Sequence, residues 1–123
     1  MNESKDMRVV LIDDHALCRR GLAELLERRP GIVVAGFTGD PDEASRMVAA
    51  ENPDLVVLDL RMPQMDGLTL LKRLRAEGCK APVLILTMSD SQDDLARALR
   101  AGVRGYILKT AEPDDLVDAI QRV

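Results

Sequence analysis

Five short apolar runs alternate along the chain with longer stretches in which apolar residues recur every three or four positions. Arg8-Val-Val-Leu-Ile12 reads as a first strand and ends on Asp13-Asp14. A helical pattern follows, expected to place Leu17, Leu22, Leu25 and Leu26 on one side before Pro30-Gly31 stops it. Ile32-Val-Val-Ala-Gly-Phe37 is the second run, and a short helix is expected over Asp40 to Ala50, closed by Asn52-Pro53. Leu55-Val-Val-Leu58 runs directly into Asp59. After the loop at Met62-Pro63, Asp66 can cap a helix reaching about Glu77, with Leu68, Leu71 and Leu74 facing inward and Gly78 ending it. Pro82-Val-Leu-Ile-Leu86 ends on Thr87. Ser89 to Ser91 are cap candidates for a helix from about Gln92 to Ala101, and Asp93 and Asp94 fall in its first turn, where the helix dipole favours acids. Gly105-Tyr-Ile-Leu108 ends on Lys109, and the last helix opens near Pro113 with Leu116, Val117, Ile120 and Val123 as its apolar stripe.

The five runs are continuous rather than alternating in polarity. Such strands are covered on both faces, which implies a parallel sheet with helices on either side: a doubly wound α/β domain built from five βα units. In such a sheet all carboxyl ends of the strands lie along one rim, where ligands bind. The residues at those ends are Asp13-Asp14, Asp59, Thr87 and Lys109. Three carboxylates, a hydroxyl and an ammonium are thus expected to converge. Clustered carboxylates repel one another unless a cation intervenes. Mg²⁺ suits such a site, because it takes oxygen ligands and is often held by one or two carboxylates together with a phosphate. A carboxylate can accept a phosphoryl group as an acyl phosphate. Lysine and threonine can hold its oxygens. Taken singly, each residue has a plainer reading: Asp13, Asp14 and Asp59 as caps or turn residues, Lys109 as a surface lysine, Thr87 as a β-branched strand residue. Their shared rim is what favours a functional site.

Composition narrows the field. Only Phe37 and Tyr106 are aromatic, too few for base stacking along single-stranded nucleic acid. With 17 basic and 21 acidic residues the net charge is −4, so this segment repels DNA phosphates rather than binding them. Cys18 and Cys79 have no metal-ligand spacing and are expected to be reduced, as in a cytoplasmic protein. No apolar stretch reaches the length of a membrane span. His15, the only histidine, is expected to sit exposed at a helix start, and Asp66-Gly67 to serve as cap and turn.

Ile12-Asp-Asp-His15, Leu58-Asp-Leu-Arg-Met-Pro-Gln-Met-Asp-Gly67, Leu86-Thr-Met-Ser89 and Gly105-Tyr-Ile-Leu-Lys109, in that order and spacing, resemble the signature of the receiver domain of two-component response regulators. The likeness runs from about Arg8 to Val123. It implies the flavodoxin-like (βα)₅ fold with strand order 2-1-3-4-5. It also implies that Asp59 accepts phosphoryl from a sensor histidine kinase. Asp14, Asp59 and the backbone carbonyl of Arg61 would bind Mg²⁺, or Mn²⁺ or another divalent cation in its place, with Asp13 acting through a metal-bound water. Thr87 and Lys109 would hold the phosphoryl oxygens, and Tyr106 would be the aromatic that turns inward when Thr87 moves. Asp-Asp-His after the first strand and Lys109-x-x-x-Pro113-Asp-Asp-Leu116 resemble the NarL/FixJ group of transcription regulators. That implies a C-terminal helix-turn-helix DNA-binding domain in a parent protein, beyond a tail at residues 1–7 and a receiver at 8–123, and leaves a homodimer open. Thr110 stands where most receivers carry a proline in a cis bond, and a cis bond before Thr110 would lack proline's usual reduction in cost.

Two other classes use similar folds. An Mg²⁺-dependent aspartyl phosphatase places its nucleophile after the first strand with a second Asp two residues on; here Asp13 and Asp14 are adjacent, and Arg61 stands two past Asp59. A flavin or dinucleotide carrier needs a glycine-rich turn after the first strand, which this chain lacks. A standalone receiver signalling by protein contact is the nearer alternative. The expectation is a signalling switch, not an enzyme beyond self-catalysed phosphorylation and dephosphorylation.

Overall fold

The computed structural model describes residues 6–88 and 91–123. Within them, five strands alternate with five helices: β1 (Met7–Ile12), α1 (Ala16–Glu27), β2 (Ile32–Thr38), α2 (Pro41–Glu51), β3 (Leu55–Leu58), α3 (Gly67–Ala76), β4 (Val83–Thr87), α4 (Gln92–Arg100), β5 (Gly105–Leu108) and α5 (Pro113–Gln121). All neighbouring strands are parallel, in the order β2-β1-β3-β4-β5. Met7 belongs to β1 and pairs with Ile32, so the expected N-terminal tail is shorter than seven residues on its described side. Residues 1–5 of that tail, with Ser89 and Asp90 among the cap candidates, lie outside the described residues.

Alternation along each strand divides the interior into two cores. Val10, Ile12, Val56, Leu58, Val83 and Ile85 face α2, α3 and α4, whereas Val9, Leu11, Leu55, Val57, Leu84 and Leu86 face α1 and α5. The strands are continuous apolar runs because both faces are covered. Coverage is complete for the central β3 and β4 and partial at the edges, where β5 is half-buried throughout and Val33 and Phe37 of β2 are exposed. Leu71 of α3 is fully enclosed in the first core. Leu71→Ala should therefore cost about 3 kcal/mol in denaturant unfolding; a loss below about 1 kcal/mol would contradict the packing described.

Caps act where side chains suit them. Asp40 accepts a bond from Glu43 N, Asp66 from Leu68 N, and Ser91 from Asp94 N. Leu17 departs from expectation. It is 88% exposed, and the inner face of α1 is carried by Ala23 and Leu26. The 3.6 period locates a stripe but not its edges, and Leu17 falls outside it.

A surface staple joins α2 to α3. Arg73 Nη1 donates to Asp42 Oδ1 at 2.7 Å, and its Nε donates to Glu77 Oε2 at 3.3 Å. The hydrogen bond from Arg73 holds the Asp42 carboxyl below its usual range; a bond from Ser45, with help from Arg73, does the same for Glu77. Depressed carboxyl values contribute stability that is present above the unfolded value near 4 and is lost as pH falls through the folded value. Arg73→Met should thus be less stable than the parent at neutral pH and converge with it in strong acid. A gap that persists unchanged into acid would contradict this origin. No helix among the described residues is long and apolar enough to cross a membrane.

Candidate phosphoacceptor and metal site

Backbone bonds continue the sheet one residue past the strands and thereby fix the rim. Asp13 N donates to Thr38 O at 2.9 Å, Asp59 N to Ile12 O at 2.8 Å, and Lys109 N to Thr87 O at 2.8 Å. The side chains of Asp13, Asp59 and Lys109 are 5%, 3% and 8% exposed, so their charges meet largely out of water. Lys109 Nζ lies 2.8 Å from Asp13 Oδ2 and 3.3 Å from Asp59 Oδ2. The other oxygens are engaged by backbone. His15 N donates to Asp13 Oδ1 at 2.9 Å, and Arg61 N donates to Asp59 Oδ1 at 3.2 Å.

This arrangement separates two buried acids. Burial pushes the Asp13 carboxyl up, but the hydrogen bond from Lys109, the His15 N–H and the Lys109 charge together bring it below the usual range. Asp59 is raised: burial outweighs the attraction of Lys109, and the negative charge of Asp13 adds to it. Burial alone would lower Lys109, yet its bond and charge contacts with Asp13 and Asp59 leave it raised and firmly protonated.

One ammonium faces three carboxylates, so negative charge is in excess. Asp14 Oδ1 is buried and accepts no hydrogen bond among the described residues. An orphaned carboxylate oxygen beside two buried acids is a poor resting arrangement for the protein alone and a suitable one for a hard cation. Asp13, Asp14, His15 and Asp59 each offer a ligand atom, all within 4.8 Å of one another. The residues present therefore fit a divalent ion.

Of the residues singled out in the sequence, Asp13, Asp14, Asp59 and Lys109 come together. Thr87, fully buried at the end of β4, is tied to Lys109 through its backbone carbonyl. Tyr106 is half-buried on β5, opposite Ile85 and packed against the α2–α4 core. No cis peptide bond occurs among the described residues, and Ala111 N donates to Leu108 O at 3.0 Å in the turn after β5.

Three contacts had no clear signal in the sequence. His15 is exposed at the start of α1, as expected, but its Nδ1 points into the acids, 3.2 Å from Asp13 Oδ1 and 3.4 Å from Asp14 Oδ1. Cys18 lies near Asp13; burial and that carboxylate push its thiol up. Both cysteines are free. Arg61 reaches from the loop after β3 to the buried Asp94 of α4, which Arg97 also contacts at 3.3 Å; Arg97 in turn contacts Asp66 at 3.2 Å.

The sequence pattern of the family described as response regulator receiver domain matches residues 9–121. The chain belongs to that family. A nitrate/nitrite response regulator homolog of Haemophilus influenzae is 42% identical over 95% of this receiver and 56% of its own length. The nitrate/nitrite response regulator NarP of Escherichia coli is 40% identical over 98% of the receiver and 56% of its own length. The receiver thus spans about half the length of these relatives. Among solved structures, the signal receiver domain of the response regulator NarL from Mycobacterium tuberculosis superposes with a TM-score of 0.89 at 31% identity, over 96% of this chain and 95% of that one. The protein is therefore a receiver domain of a two-component response regulator related to NarL transcription factors, a signalling module rather than an enzyme. Its acidic pocket is of the kind that serves as a phosphorylation and Mg²⁺ site in that family.

Proposed function

We propose that Asp59 accepts a phosphoryl group from a sensor histidine kinase, and that the modified receiver controls transcription through a DNA-binding domain joined to it in the parent protein. The observation that carries the first part is the position of Asp59: 97% enclosed, yet beside an ammonium and two further carboxylates at the open rim of the sheet. The second part rests on the NarL-type relatives, which are about twice the receiver's length.

Each residue has a physical task. A carboxylate oxygen of Asp59 attacks the phosphorus of a phosphoimidazole; the O–P bond forms as the N–P bond breaks, and the departing imidazole takes up a proton. Asp14, Asp59 and the Arg61 carbonyl would hold a Mg²⁺ ion, with Asp13 acting through its water. When bound, that ion neutralises charge on the phosphoryl oxygens. Lys109 already bridges Asp13 and Asp59, so it can follow negative charge from the carboxylate to the phosphoryl group without leaving the site. Thr87 supplies a hydroxyl from the end of the neighbouring strand. The added group brings about two negative charges to the rim. Thr87 and Lys109 regroup around it, and the change passes along β4 and β5 to Tyr106, shifting an equilibrium between two conformations.

A small phosphodonor with Mg²⁺ should add one phosphate to the parent chain by intact mass, and Asp59→Asn should abolish the gain. Stoichiometric labelling of the Asp59→Asn chain would overturn the assignment.

A further inference from the structure

The proposed metal site contains a donor that an oxygen-loving ion does not need. His15 Nδ1 lies 3.2 Å from Asp13 Oδ1, 3.4 Å from Asp14 Oδ1 and 3.7 Å from Asp59 Oδ2. It also lies 3.4 Å from Lys109 Nζ. These spacings can be compared with the edges of coordination polyhedra. Bonds of about 2.05 Å to nitrogen and oxygen in a tetrahedron give ligand–ligand edges of about 3.3 Å. An octahedron with bonds of about 2.1 Å, the arrangement Mg²⁺ demands, gives adjacent edges of about 3.0 Å. All three spacings from His15 exceed the octahedral edge, and they bracket the tetrahedral one. The three carboxylates, Lys109 and a doubly charged ion also sum to zero, so the ion offsets the excess negative charge.

We propose that His15 is a fourth ligand, giving this receiver a four-coordinate site for Zn²⁺ formed by His15 Nδ1 and one oxygen each from Asp13, Asp14 and Asp59. Imidazole suits Zn²⁺ and adds little for Mg²⁺, so His15 sets metal preference rather than metal binding as such. The ligand form is the neutral ring with its proton on Nε2. Asp59 Oδ2 is then engaged by the ion, while its Oδ1 accepts from Arg61 N. The inference rests on the reading of this pocket as a divalent-cation site, and it assigns His15 a role in addition to starting α1.

The test uses calorimetric titration of the receiver with Mg²⁺ and with Zn²⁺, and Co²⁺ as a coloured substitute for zinc. His15→Ala should weaken Zn²⁺ binding by about 100-fold or more, since losing even an outer-shell partner costs about 10–100-fold, and leave Mg²⁺ affinity within about threefold. Co²⁺ should give the intense visible bands of a four-coordinate ion with the parent and weak bands with His15→Ala. Equal loss of both metals in His15→Ala would overturn the selectivity role. Zn²⁺ affinity unchanged in that variant would overturn ligation. A sulfur-to-cobalt charge-transfer band would place the ion on Cys18 or Cys79 and overturn the site. If neither Mg²⁺ nor Zn²⁺ binds the parent, the underlying cation-site reading fails as well. Mg²⁺ binding with Zn²⁺ indifferent to His15 removes this inference alone.

Discussion

Gly67→Ala should lower the stability of the receiver by about 2–3 kcal/mol, which for a domain of this size is a fall of about 10 °C in the unfolding midpoint. Helix propensity alone argues the reverse. Gly67 is the first residue of α3, and alanine is favoured over glycine inside a helix by about 1 kcal/mol. Packing decides against it. A Cβ at residue 67 would sit 2.3 Å from Asp59 O and 2.9 Å from Leu60 Cα, both main-chain atoms that cannot rotate away. Gly67 N also donates to Leu60 O at 2.7 Å, so the two segments are already joined at their closest approach. The methyl must push α3 away from the segment that carries Asp59 and Leu60. Thermal unfolding followed by circular dichroism reads the effect, and a midpoint equal to or above that of the parent would refute the steric account.

Lys109→Met should be the more costly change, and its cost should depend on the metal. It leaves Asp13 and Asp59, whose side chains are almost wholly enclosed, without their common cation. Breaking a buried pair in this way typically costs about 3–5 kcal/mol, because one charge is left uncompensated. Protonation of Asp59, which burial already favours, sets a ceiling on the penalty. In chelator the variant should unfold at markedly lower denaturant than the parent. Saturating Mg²⁺ should recover more stability for the variant than for the parent, since the ion then replaces the missing positive charge. Equal stabilisation of the two proteins by Mg²⁺ would show that Lys109 does not neutralise the same charges.

Much of the architecture was legible because its causes are local. Leu55-Val-Val-Leu58 and Val83-Leu-Ile-Leu86 are apolar on both sides, and only a strand covered on both faces suits them. Once the sheet is parallel, the chain's own order places Asp13, Asp59, Thr87 and Lys109 at one rim. What the sequence did not disclose depends on direction or on distance along the chain. Leu17 lies on the opposite side of α1 from Leu26, nine residues on, and is exposed. His15 could as well have faced solvent; the bond from its own N–H to Asp13 Oδ1 sets the turn that aims its ring inward. Asp94 was explained by the helix dipole, a local reason that hid its partner Arg61, 33 residues away. Tyr106 pairs with Ile85 and Thr87 with Leu108, so the two residues lie on adjacent strands, β5 and β4.

Arg61 touches two parts of the molecule at once. Its main-chain nitrogen holds one oxygen of Asp59, and its guanidinium grips the first turn of α4 through Asp94. One residue therefore acts as a crank between the carboxylate and the helix: whatever reorients the Asp59 oxygens displaces the pivot of Arg61, and a tug on α4 arrives at Asp59 by the same arm. Any shift of α4 that moves Asp94 therefore bears on the setting of the Asp59 oxygens, with no contact to the site itself.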